Sequence, residues 1–163
     1  MRILGIDPGL ATIGFGVIET GKSHPQMLTC GHISTPKTLS TVDRLNEIAI
    51  DIEALCQTWK PDVCAIEEIY FSKNVSTAIR VAEARGVILQ TLTRSGYSVH
   101  EYNPQKIKIA LTGDGKADKM QMQKMITLIL NLKEVPKPDD AADALAIALC
   151  HANTVSYEQT RTK

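Results

Sequence analysis

The sequence predicts a mixed α/β fold in which helices cover a central sheet. Short apolar, strand-like segments fill the first part of the chain, and later segments alternate between helical periodicity and two further strand-like runs. With 163 residues, 44% of them apolar and 22% charged, the chain has the size and composition of one ordinary globular domain.

Three strands are predicted at the start of the chain. Residues 2–7 form an apolar run that ends at the turn sequence Asp7-Pro8-Gly9. Residues 14–19 follow closely enough to pair with the first strand as a hairpin, and residues 27–34 form the third strand.

A helix is predicted over residues 39–59, because apolar residues recur there at helical spacing. The polar residues of this segment are placed on the opposite, solvated face: Asp43, Arg44, Glu47 and Asp51.

The remaining elements alternate before the chain becomes helical. Residues 63–66 and 98–102 are short apolar runs that predict strands, and residues 76–94 between them have helical periodicity. Three helices are then predicted, over residues 105–111, 117–130 and 140–152. We therefore place one domain over residues 1–153 and a polar, disordered tail over residues 154–163.

A cytoplasmic location is predicted. No apolar run is long enough for a transmembrane helix, and Asp7 lies where a signal peptide would still be apolar. The cysteines have no metal-ligand spacing and mostly fall in apolar stretches, which favours free thiols in a reducing compartment; they are Cys30, Cys56, Cys64 and Cys150.

The net charge of zero hides an uneven distribution. Between Lys73 and Lys119 there are eight lysines and arginines against four acids, so the rest of the chain has an excess of acids. This asymmetry allows a basic face for a polyanionic partner without establishing one.

Carboxylates occur inside or at the end of three separate apolar runs. Asp7 and Glu67 each end a predicted strand, and Asp140 and Asp143 lie one turn apart on the last predicted helix. Like charges about 4 Å apart repel by about 4 kcal/mol at an effective dielectric near 20, so such a cluster favours a divalent cation. These four acids are the predicted metal site.

Each acid also has a plain structural interpretation. Asp7 is a common residue type for the turn in which it lies. Glu67 competes with Glu68, because only one of two successive strand residues shares a face with its neighbours. Acids in a first helical turn favour the macrodipole, which accounts for Asp139 better than for Asp143 in its apolar run.

Five segments, in this order, resemble the RuvC family of Holliday-junction resolvases, within the retroviral-integrase and RNase H superfamily. They read GIDPGLATIGFGVIE, AIEEIYFSKN, EARG, YNPQKIKIALTG and DDAADALAIALCHA, and they span about residues 1–153. The resemblance implies an RNase H-like mixed five-stranded sheet flanked by helices. It also implies a homodimeric endonuclease that nicks opposing strands of a four-way DNA junction in recombination and repair.

The resemblance implies roles for individual residues. Its acidic tetrad corresponds to Asp7, Glu67, Asp140 and Asp143, which would hold two Mg²⁺ ions, with Mn²⁺ as a substitute. Lys108 and Lys119 correspond to basic positions near the scissile phosphate, with Lys119 in the catalytic set. The other implied DNA contacts are Tyr70, Phe71, Lys73, Asn74, Lys106 and Lys116, with Tyr70 where some relatives stack a phenylalanine. A branch-migration motor of the RuvA and RuvB type is a further implied partner.

Several alternatives remain open at this stage. The chain could be a junction-binding module without catalysis, or an RNase H-like nuclease that acts on hybrids or flaps. An actin-like ATPase is discarded, because it would need a second lobe. Gly14 and Gly16 indicate a close approach of either DNA or a packed neighbour. The helix over residues 76–94 presents Ala82, Ala84 and Gly86 either to a dimer partner or to the core.

Overall fold

A five-stranded sheet with the strand order β3-β2-β1-β4-β5 forms the centre of the computed structural model, which describes residues 1–21, 24–69 and 75–161. The strands are β1 (Arg2–Asp7), β2 (Thr12–Glu19), β3 (Gln26–Ser34), β4 (Val63–Glu67) and β5 (Val99–Tyr102). The helices in the described part are α1 (Thr41–Trp59), α2 (Val75–Arg94), α3 (Pro104–Thr112), α4 (Lys119–Ile129) and α5 (Asp139–Arg161).

The sheet is mixed, as predicted. β1 pairs antiparallel with β2 and β2 antiparallel with β3, so the predicted hairpin is confirmed. β4 pairs parallel with β1, and β5 pairs parallel with β4. The carboxyl ends of β1, β4 and β5 therefore lie at one edge of the sheet.

Helices cover both faces of the sheet because successive strand residues point to opposite sides. Ile3 belongs to a core shared with α3, α4 and α5, whereas the next residue, Leu4, belongs to a core shared with α1 and α2. The fold class predicted from the sequence is confirmed.

Two glycines let α5 lie directly on the sheet. A Cβ atom at Gly14 would be 2.0 Å from the carbonyl oxygen of Asp140, and one at Gly5 would be 2.1 Å from the carbonyl oxygen of Ala144. Of the two interpretations of Gly14, the packed neighbour is the one that the structure shows. A Cβ atom at Gly16 would likewise be 2.8 Å from the Leu145 side chain.

The polar face predicted for α1 is wrong at Arg44, which is 8% exposed, while Val42 is 67% exposed. The Arg44 guanidinium donates hydrogen bonds to Thr35 Oγ1 at 2.9 Å and to the Leu10 carbonyl oxygen at 3.2 Å. These bonds turn Arg44 inward, where it ties α1 to the connections after β1 and β3.

The last helix is longer than predicted. α5 continues to Arg161, whereas the sequence pattern predicts a helix that ends at residue 152 and a disordered tail. The hydroxyls of Thr154 and Ser156 donate to the carbonyl oxygens of Cys150 and Ala152, which keeps these polar residues compatible with a helix.

All four cysteines are free, and three of them are buried, as predicted. Among the helices that the structure describes, none has both the length and the apolar character that crossing a membrane requires.

Candidate active site

Two predicted site residues lie side by side at the carboxyl edge of the sheet. Ile6 pairs with Ile66 in the parallel register of β1 and β4, so Asp7 and Glu67 end neighbouring strands at the same level. Open α/β sheets bind their ligands most often at this edge.

The other two predicted acids are in the first turns of α5, which begins at Asp139. The close contact of α5 with Gly14 holds the backbone of Asp140 against β2, next to the end of β1. Asp143 follows one turn later and is half-buried. The predicted tetrad thus converges from three separate segments of the chain.

A cleft of about 220 Å³ opens at this point and is lined by Asp7, Glu67 and Asp143 together with Lys108 and Lys119. We call it the acidic cleft. Asp140 lines a different, adjoining cleft, so the structure brings three of the four acids into one space and places the fourth on its border.

The acids raise one another's proton affinity. Burial, followed by the negative charges of Glu67, Asp143 and Asp140, raises the pKa of Asp7 to about 7. Burial, followed by the charge of Asp143, raises the pKa of Glu67 to about 7, with Lys108 acting in the opposite direction. Such raised pKa values mean that the negative form of each carboxylate is disfavoured, by burial and by neighbouring charges that the surroundings do not neutralise.

Lys119 supplies part of the missing positive charge. Its Nζ lies 3.0 Å from Asp139 Oδ2 and 3.6 Å from Asp143 Oδ2. Burial raises the pKa of Asp143 and Lys119 opposes that rise, whereas the hydrogen bond from Lys119 lowers the pKa of the exposed Asp139. Gln123 Nε2 donates to Asp139 Oδ1 at 3.1 Å and holds the other side of that carboxylate.

The donor set fits a hard divalent cation, since it consists of carboxylate oxygens with uncompensated charge. Within the described ranges, no three histidine, cysteine, aspartate or glutamate side chains are already close enough together to coordinate one ion. Binding a cation therefore requires these side chains to move toward one another, and neutralisation of their repulsion favours that movement.

The remaining predicted contacts have different outcomes. Lys106 Nζ lies 4.9 Å from the centre of the Tyr102 ring, and the backbone N–H of Lys116 donates to Asp114 Oδ1 at 2.8 Å. The Asp114 carboxylate is thus engaged inside its own turn. Four predicted contacts lie outside the described residues: Tyr70, Phe71, Lys73 and Asn74.

Three basic residues near the site were missed by sequence reasoning. Lys37, Arg44 and Arg80 line the adjoining cleft with Asp140. They come from three separate segments of the chain, so no local pattern groups them, and Arg44 has the spacing of a surface residue.

A mixed five-stranded sheet with acids at the ends of β1 and β4 and on the helix above them defines an RNase H-like nuclease. A family model described as crossover junction endodeoxyribonuclease RuvC matches residues 3–151. The chain belongs to the RuvC family, as the sequence motifs predict.

Relatives with this name cover nearly the whole chain. The crossover junction endodeoxyribonuclease RuvC of Chloroflexus aurantiacus is 48% identical over 94% of this chain and 94% of its own length. The protein of the same name from Heliobacterium modesticaldum is 47% identical over 96% of this chain and 97% of its own. The predicted enzyme class, an endonuclease, is confirmed by these relatives.

Solved structures agree with this assignment. RuvC from Thermus thermophilus superposes with a TM-score of 0.90 at 34% identity, covering 97% of each chain. The same organism's RuvC in complex with a Holliday junction substrate superposes with a TM-score of 0.88 at 30% identity, covering 96% of each chain.

Proposed function

We propose that this chain resolves four-way DNA junctions by hydrolysing one phosphodiester bond in each of two opposing strands. The observation that carries the proposal is the cluster of repelling carboxylates with Lys108 and Lys119 beside it, at the carboxyl edge of the sheet. The products would carry a 5′ phosphate and a 3′ hydroxyl.

Asp7, Glu67, Asp140 and Asp143 would hold two Mg²⁺ ions, or Mn²⁺ in their place. When bound, such a pair supplies activation of the attacking water and stabilisation of the leaving oxygen. The residues of the chain supply the rest. β1, β4 and α5 hold the backbones of the four acids on rigid elements, so that only their side chains have to move when the cations bind.

Lys119 acts on the phosphate. Its ammonium pairs with Asp139 and Asp143, and the side chain lines the acidic cleft while remaining half-exposed to an incoming phosphate. Charge that builds up on the phosphate oxygens in the transition state would be offset by this ammonium. Lys108, which faces Glu67, is the second candidate for this role.

A homodimer would match the two-fold symmetry of the junction with two active sites. Of the interface candidates on α2, Ala84 is buried in the core, whereas Ala82 and Gly86 are exposed, as is 52% of Ile79. The exposed residues therefore stay available for a partner subunit. Docking to a motor of the RuvA and RuvB type is part of the proposal and rests on the family resemblance.

The test is cleavage of labelled synthetic DNA with Mg²⁺: a four-way junction, a linear duplex, an RNA–DNA hybrid, and the junction with EDTA. Symmetric paired nicks confined to the junction and abolished by EDTA are expected. Tight junction binding without nicking would indicate a binding module, and cleavage of the hybrid alone would indicate a different RNase H-like nuclease.

Lys119→Ala tests the proposed role of that ammonium. We expect about a 10- to 100-fold slower cleavage step, with junction affinity changed by less than about threefold, because the charge acts mainly in the transition state. Lys124→Ala, an exposed lysine of the same helix, is the control. Weakened binding with an unchanged cleavage step would make Lys119 an ordinary phosphate contact.

A further inference from the structure

A second cleft, of about 670 Å³, adjoins the acidic cleft. It lies between the connection after β1, the segment before α1 and the first turns of α2, and it is lined by Gly9, Thr12, Lys37, Arg44, Arg80 and Asp140. We call it the Arg80 cleft. It is about three times as large as the acidic cleft of 220 Å³.

The Arg80 cleft has an excess of positive charge. Among the described residues that line it there are three cationic side chains and one carboxylate, that of Asp140. Among the residues that the structure describes, Lys37, Arg44 and Arg80 form no ion pair, and Lys37 and Arg80 are exposed. A cleft of this kind attracts anions.

Arg44 gives the cleft a fixed charge. The residue is 8% exposed, and the partners of its guanidinium are the neutral oxygens of Thr35 and Leu10. A nearly buried guanidinium whose partners are neutral keeps its whole charge available to a ligand in the cleft. The Thr35 hydroxyl also donates to the Leu10 carbonyl oxygen at 2.6 Å, which fixes the loop after β1 beside the cleft.

The position of the cleft relative to the acids suggests its ligand. Asp140 forms part of its wall, and the charge of Asp140 reaches Asp7 in the acidic cleft. Lys108 and Lys119 line the acidic cleft together with three of the acids, whereas Lys37, Arg44 and Arg80 line the cleft to which the fourth acid belongs. A nucleic acid strand with its scissile phosphate at the acids has further phosphates on both sides of it.

We propose that the Arg80 cleft binds a phosphate of the cleaved strand next to the scissile one, with Arg80 and Lys37 as its contacts and Arg44 as a fixed charge behind them. This assignment rests on the function proposed above. It adds a second group of cations to the substrate site, in a cleft that Asp140 lines and Lys119 does not.

The first test measures junction binding in EDTA, so that no strand is cut, by fluorescence anisotropy across a series of KCl concentrations. Each phosphate contact that is lost is expected to reduce the slope of log affinity against log salt by about 0.9, or about 0.7 on a single strand. Arg80→Gln and Lys37→Gln should each show this change, with about a 5- to 20-fold loss of affinity near 0.1 M salt.

Arg94→Gln is the matched control, because Arg94 lies at the other end of the same helix and pairs with Glu53. The affinity of Arg94→Gln should stay within about twofold of that of the unmodified protein, and its salt slope within about 0.2, since we expect Arg94 to contact no phosphate. If Arg80→Gln and Lys37→Gln behave like Arg94→Gln, the proposal is wrong.

The second test locates the phosphate. Junctions carry one neutral methylphosphonate at a time at positions around the scissile phosphate. The unmodified protein should lose affinity at a position adjacent to the scissile one. Arg80→Gln should lose less affinity at that same position, because only Lys37 and Arg44 still face the phosphate. An unchanged penalty in Arg80→Gln, or a loss of the penalty only at a remote phosphate, would overturn the assignment.

A failure of the proposed function has a different signature. In that case the unmodified protein does not nick the junction in Mg²⁺, whatever Arg80→Gln does to binding. Intact junction nicking together with salt slopes that Arg80→Gln and Lys37→Gln leave unchanged would reject the Arg80 cleft alone.

Discussion

The two halves of α5 bury polar groups in opposite ways. The first half brings Asp140 and Asp143 toward Asp7 and Glu67, and the pKa of Asp7 rises because burial disfavours its charged form and the neighbouring charges repel it. The second half buries His151 at 2% exposure, with its Nδ1 2.7 Å from the Tyr102 hydroxyl.

The histidine is a satisfied polar group. Burial, followed by electrostatic effects of His100 and Lys106, lowers the pKa of His151 to about 4, so the ring of His151 is neutral at physiological pH. It hydrogen-bonds Tyr102 on β5, and its ring centre lies 4.6 Å from that of His100. This hydrogen bond joins α5 to β5 through polar groups that satisfy each other within the protein.

The carboxylates are the unsatisfied counterpart. The same helix that is stabilised at one end carries at the other end a set of charges that destabilise the isolated protein. Uncompensated charge in a cleft indicates a binding function, whereas a buried polar pair indicates a structural one. This contrast within one helix distinguishes the candidate site, formed by the carboxylates, from the structural core around the buried histidine.

The largest expected effect removes one of the charges. Asp143→Asn should reduce junction nicking by more than about 1,000-fold, because a neutral amide is a poor ligand for a divalent cation. Junction binding in EDTA should be unchanged or tighter, since a charge that repels phosphate is gone. Single-turnover cleavage and anisotropy measure the two effects.

Asp139→Asn is the control for that substitution, because Asp139 is a carboxylate one turn earlier on α5 that is exposed and outside the acidic cleft. We expect about a 10-fold or smaller decrease in nicking, because Asp139 contacts Lys119 and acts through it. Equal losses in the two variants would contradict the division between ligand and positioning residue.

The next effect tests how closely α5 must lie on the sheet. Gly14→Ala would place a Cβ atom 2.0 Å from the Asp140 carbonyl oxygen, so α5 must move or the strand must distort. We expect a loss of about 3 kcal/mol or more in the free energy of unfolding, measured by urea denaturation.

Gly86→Ala provides the opposite case on α2, because no heavy atom lies within 4 Å of a Cβ atom at Gly86. Alanine in a helix is favoured over glycine by about 1 kcal/mol, so this variant should be more stable than the unmodified protein. Two glycine variants of similar stability would show that α5 adapts to the added methyl group.

The four acids can be singled out from the sequence because each of them interrupts or ends an apolar run, and a charge in such a place requires an explanation. Their role as metal ligands stays a prediction. Asp7 and Glu67 end strands that pair in parallel, which brings the two acids to the same edge of the sheet. The pairing of Lys119 with Asp139 could not be foreseen, because it depends on how α4 meets the start of α5.

The Arg80 cleft was hidden for a physical reason. A periodic pattern gives the side on which a residue lies only if polar residues face water, and Arg44 breaks that rule with hydrogen bonds to residues far along the chain. Gly14 shows a second limit of sequence patterns. Its pattern indicates a close approach, and only the packing of α5 identifies the neighbour.

A smaller effect concerns the stability of the metal-free protein. The pKa of Asp7 is raised to about 7 in the folded state, so the folded protein holds a proton there between about pH 4 and 7 that the unfolded chain releases. The stability associated with this group is therefore present below about pH 4 and is lost as the pH rises through 7.

Asp7→Asn removes this loss of stability at high pH. In EDTA at pH 8 the variant should be more stable than the unmodified protein by about 1–3 kcal/mol. This is less than the whole pKa shift would give at 1.36 kcal/mol per pKa unit, because solvent reaches the site and screens the charges. Near pH 4 the difference should vanish. Adding Mg²⁺ at pH 8 should stabilise only the unmodified protein appreciably, and a pH-independent difference would contradict the electrostatic explanation.

The smallest expected effect lies at the satisfied end of α5. Tyr102→Phe keeps the ring beneath Lys106 but removes the hydroxyl from His151, so a buried ring nitrogen loses its partner at about 1–2 kcal/mol. The Tyr97 hydroxyl lies farther from its acceptor, 3.4 Å from the Cys56 carbonyl oxygen, so Tyr97→Phe should cost less than about 0.5 kcal/mol.

Nicking by Tyr102→Phe should stay within about twofold of the unmodified protein, because the hydrogen bond between Tyr102 and His151 stabilises the scaffold and leaves the acids in place. A large loss of nicking at nearly unchanged stability would mean that the second half of α5 also positions the site, and the contrast between its two halves would fail.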